Sequence, residues 1–66
     1  MSAESHNRIA PQIVRQLITE SDGESDCMVA LESVVLGVML YYRPNPRHAG
    51  EFLDSMTTAI IERMKP

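Results

Sequence analysis

The sequence predicts an all-α protein of three helices that is completed as a helical-bundle homodimer. Three observations carry this. Apolar residues recur at three- and four-residue spacing and never alternate at period two. Gly23 and the Pro44-Asn45-Pro46 run divide the chain into three periodic segments. The middle segment is apolar on almost every side, so covering it takes more than two short neighbours.

The first segment carries apolar residues at 9, 10, 13, 14, 17 and 18, two rows along one helical face. Proline is at home only in a first turn and pushes the residue before it toward extended geometry, so the helix is expected over Pro11–Glu20. Residues 1–8 are expected to form a flexible polar segment, with an irregular turn capped by Asn7. Gly23 then offers a left-handed stop.

Ser25 is the expected cap of the second helix, Asp26–Tyr42, with Asp26 adding favourable charge to its first turn. One apolar arc runs through Met28, Leu31, Val34, Val35, Val38, Met39 and Tyr42, and another through Val29, Leu36 and Leu40. The exceptions are Glu32 and a strip of small residues, Ala30, Ser33 and Gly37. Pro44 and Pro46 forbid continuation. Asn45 followed by Pro46 reads as a cap and first residue of a third helix, Pro46–Met64. That helix shows Ala49, Phe52, Leu53, Met56, Ala59, Ile60 and Met64 on one face.

Sixty-six residues make one small domain, 1–66. Chains this short bury a modest share of their surface and usually need a disulfide, a metal or a partner. The one cysteine, Cys27, excludes an internal disulfide, and with two histidines it cannot complete a four-ligand zinc site. That leaves association. The dimer interface is expected at Val29, Ala30, Ser33, Leu36, Gly37, Leu40 and Ile61, a patch larger than soluble monomers usually leave open. A self-complementary patch closes as a two-fold dimer.

Six basic against nine acidic residues, a net charge of −3, argue against a nucleic-acid binder and against adsorption to anionic membranes. The first eight residues hold no apolar run, so no signal peptide is expected. The longest uncharged stretch, 33–42, is about half of the ~20 residues a bilayer requires. A cytoplasmic setting is expected.

Chemistry is sparse. Glu32 is a carboxylate amid apolar neighbours, which suggests a metal ligand or general base. Carboxylate sites of bundles, however, use several Glu with a Glu-x-x-His pair, and that is missing; a solvated or ion-paired Glu32 fits better. Glu20, Asp22, Glu24 and Asp26 alternate as calcium ligands do, but glycine falls two places early and Leu31 stands where the bidentate Glu belongs. Cys27 has acidic neighbours and no nearby His. No enzyme activity, metal or cofactor is expected.

The one locally basic stretch gives an anion-binding candidate of Arg43, Asn45, Arg47 and His48, using helix N-terminal amides and guanidinium groups. A plainer reading pairs Arg47 with Glu51 at i+4 and lets Tyr41 and Tyr42 close the end of the core. A DNA-reading helix-turn-helix fails because its first helix would be wholly apolar and Asp54 and Glu62 repel phosphate. The expected role is a small non-enzymatic interaction or structural protein. Its expected partner is a second copy of itself, and an unidentified protein partner stays open. The alternative is an anion- or nucleic-acid-binding regulator.

Overall fold

A computed structural model describes residues 3–66. The order is α1 (Ala3–Glu20), α2 (Glu24–Tyr42) and α3 (Pro46–Met64), with no strand among the described residues.

Helix α1 corrects the first expectation. It begins at Ala3 rather than Pro11, and Pro11 lies inside it. Residues 3–8 of the segment expected to precede the helix are therefore its first turns; Met1 and Ser2 lie outside the described residues. A buried helix would be broken at Pro11, because proline removes one backbone donor and crowds the carbonyl four residues back, that of Asn7. Here every residue from His6 to Gln16 is exposed, so water reaches the freed carbonyl. The restriction on the residue before proline is a bias, and it did not stop this helix. Farther along, Thr19 Oγ1 donates to the Arg15 carbonyl at 2.7 Å.

The second correction concerns the start of α2. Gly23 adopts φ +102°, a conformation that favours glycine, and turns the chain. Its carbonyl accepts from Cys27 N–H at 3.0 Å, which makes Gly23, and not Ser25, the cap. Asp26 contributes differently from expectation too. Its Oδ2 accepts from Asp22 N–H at 2.8 Å, reaching back over the turn as the carboxylate of a capping box does. Glu24 and Asp26 also place negative charge in the first turn, where the helix dipole favours it.

At the other end of α2, Arg43 N–H donates to the Met39 carbonyl at 2.7 Å. The chain then extends through Asn45, at φ −75° and ψ 121°, and enters α3 with Pro46 in the first turn. Asn45 Oδ1 accepts from Arg47 N–H at 2.9 Å and His48 N–H at 3.3 Å. The third helix thus has the cap, the proline and the bounds that its sequence predicts. Just past its end Lys65 Nζ reaches back to Glu62 Oε1 at 3.1 Å, both largely in solvent.

The chain falls into two compact units, one up to Val35 and the other Leu36–Pro66. In the first, the half-buried residues after Ser5 are Leu17, Ser21, Cys27, Ala30 and Val35; in the second, they are Met39, Ala49, Leu53 and Met56. None of the described residues is fully buried.

Candidate interaction surface

Helix α2 has two distinct sides. Its half-buried residues are Cys27, Ala30, Val35 and Met39. At about 100° per residue these cluster on one side of the helix. Its three most exposed aliphatic residues, Val29 at 63%, Leu36 at 58% and Leu40 at 59%, fall on the opposite side. Ser33 is exposed between them. Of the seven residues expected at a dimer interface, Val29, Ser33, Leu36, Gly37, Leu40 and Ile61 are exposed, and Ala30 is half-buried. A methyl group built on Gly37 would meet nothing within 4 Å, so no contact among the described residues requires glycine there.

Ala30 instead lines a groove of about 370 Å³ with Ile13, Gln16, Leu17, Glu20, Ser21, Asp26 and Val34. Its apolar walls come from residues four apart on each helix, Ile13 and Leu17 on α1, Ala30 and Val34 on α2. The sequence shows both rows but not that they would share a groove.

The basic turn is assembled differently from its sequence reading. The N–H groups of Arg47 and His48, which an anion would use, already donate to Asn45 Oδ1. Arg47 Nε stands 3.7 Å from Glu51 Oε1, with both side chains well exposed, at 85% and 69%. A pair so hydrated contributes little. The Arg43 guanidinium lies over the Phe52 ring, 5.2 Å from its centroid, in cation–π range. A cleft of about 360 Å³ is lined by Arg43, His48, Glu51, Phe52 and Ser55, so a carboxylate shares the space with the cations. The place of Phe52 under Arg43 was not legible from spacing, because Arg43 lies in the connection and Phe52 in the second turn of α3. Tyr41 and Tyr42 meet edge to face at 4.7 Å between centroids. They are 79% and 73% exposed and do not close a core.

Glu32 is exposed and makes no ion pair among the described residues. No three His, Cys, Asp or Glu side chains among the described residues are grouped so as to hold a metal ion. By length and composition alone α2 could cross a membrane, with Glu32 near its middle.

No family model, no curated protein and no solved structure matches the chain.

Proposed function

We propose that this chain is a small non-enzymatic interaction protein whose working form is a homodimer paired through α2, in a reducing, cytoplasmic setting. One observation carries the reading. Seventeen large apolar side chains of the described residues keep 40% or more of their surface open, and α2 alone supplies nine of them. Soluble proteins rarely leave so many large apolar side chains open to water.

The magnitudes suit association through this helix. Burying a Val or Leu side chain completely is worth ~1.5–3 kcal/mol, and Val29, Leu36 and Leu40 have more than half of that still to gain. Two copies bring six such side chains, for roughly 5–10 kcal/mol. Association costs about 4–15 kcal/mol in lost freedom of motion. The two are of similar size, so a Kd in the micromolar range, about 8 kcal/mol net, also draws on the other exposed apolar residues of α2.

The alternative, an anion- or nucleic-acid-binding regulator at Arg43, Arg47 and His48, is weakened by the occupied amides and by Glu51 in the cleft. Size-exclusion chromatography with light scattering separates the readings. A mass of two chains, unchanged by oligonucleotide, supports the dimer. A single-chain mass with a salt-sensitive oligonucleotide shift, lost on Arg43→Ala with Arg47→Ala, supports the alternative.

A further inference from the structure

We propose that the two α2 helices pair antiparallel, in a register that sets Asp26 of each chain against Arg43 of the partner subunit. The inference rests on the homodimer reading and adds its geometry.

The exposed side of α2 carries Asp26, Val29, Ser33, Leu36, Leu40 and Arg43. Their spacing is three, four, three, four, three, which is the seam of a helix that packs against another helix. This spacing is the same read from either end. A two-fold axis midway between Ser33 and Leu36 therefore brings Val29 level with Leu40 of the partner subunit, and Ser33 level with Leu36 of the partner subunit. All six residues are exposed, and Val29, Leu36 and Leu40 are the most exposed aliphatic residues of the helix.

Charge selects the direction. The seam begins with an acid and ends with a base, and α2 has Glu24 and Asp26 in its first turn with Arg43 just past its last. A parallel pair would place Asp26 against Asp26 of the partner subunit and Arg43 against Arg43 of the partner subunit. An antiparallel pair places opposite charges together at both ends and opposes the two helix dipoles favourably. Among the described residues neither is committed to a salt bridge: Asp26 uses one oxygen on Asp22 N–H, and Arg43 rests on Phe52. On one flank Gly37 stands one residue, about 1.5 Å, from the level of Ser33 of the partner subunit, so two small residues meet where the helices must approach closely. Glycine costs ~1 kcal/mol in a helix interior, and this contact supplies the reason for it that the single chain lacks.

Cys27 is the only cysteine and lies on the half-buried side away from the seam, so Cys27→Ser with Ser25→Cys moves a single nitroxide to an exposed position beside the seam. In the proposed register the two marks stand about 28 Å apart along the helices and about 30 Å overall, given a rise of 1.5 Å per residue and an interaxial distance of 8–10 Å. Pulsed electron resonance on the dimer should give a distance of roughly 25–35 Å. Sedimentation of the unlabelled chain supplies the second readout. Asp26→Arg and Arg43→Asp should each raise the dimer Kd about tenfold or more. The double variant should return close to the parent value, with helicity by circular dichroism showing that each variant folds. A label distance below about 15 Å indicates parallel helices and overturns the register. A double variant no tighter than the single ones overturns it as well. In both cases the dimer survives as a reading; a monomer at every concentration removes the dimer and the register together.

Discussion

Three glycines sit in three different situations, and substitution at each has a different expected result. Gly23 holds φ +102°, where a Cβ is strained whatever the surrounding space. Gly23→Ala should destabilise by about 1 kcal/mol or more, read as a fall in the thermal midpoint. Gly50 lies inside α3 with nothing within 4 Å of a built Cβ. Gly50→Ala should stabilise by ~0.5–1 kcal/mol, which is a rise of several degrees for a domain of this size. Gly37 has equally open surroundings in its own chain. Were nothing else to meet it, Gly37→Leu would simply improve the helix. With a second helix against that flank, the same change should weaken association about tenfold while helicity is kept. A dimer unchanged or tightened by Gly37→Leu contradicts the close approach.

The helices differ in how far their ends obey local rules. For α3, Asn45→Ala removes the acceptor of two N–H groups and should cost about 1 kcal/mol in a thermal melt. In α1, Pro11→Ala should raise the helical signal at 222 nm by restoring the missing bond to Asn7. A helix that began at Pro11 would show no such gain, because its first residue has no bond to restore. All three elements were legible in the sequence, and so were both ends of α3, because Asn45-Pro46 leaves one way in. The start of α1 was not. Proline biases against helix by an amount that solvent exposure of the preceding turn can offset, and exposure is not written in the local pattern. The start of α2 was displaced by two residues for a related reason: Ser25 has the right side chain for a cap, but Gly23 has the backbone freedom, and Asp26 reaches back from inside the helix. At the basic turn, Asn45 was read both as a cap and as an anion ligand. Its oxygen is committed to the two amides an anion would need.

For the whole molecule, the deciding fact is that none of the described residues is fully buried, although 44% of the chain is apolar. That apolar surface can meet a lipid bilayer or another copy of itself. α2 is long and apolar enough for the first, but Glu32 would stand near the middle of the bilayer, where an ionisable side chain is costly. In a flotation assay with neutral lipid vesicles the protein should therefore stay in the aqueous fraction; recovery with the vesicles would favour a membrane role for α2. Association satisfies the same surface while leaving Glu32 beside the seam and in water. It also makes stability depend on concentration, since dimer formation draws the folded chain forward by mass action. Sedimentation equilibrium from sub-micromolar to hundreds of micromolar tests this most directly. The expected result is a monomer–dimer equilibrium with a micromolar Kd and a thermal midpoint that rises with concentration. A single-chain mass across the whole range, with a cooperative melt independent of concentration, contradicts it.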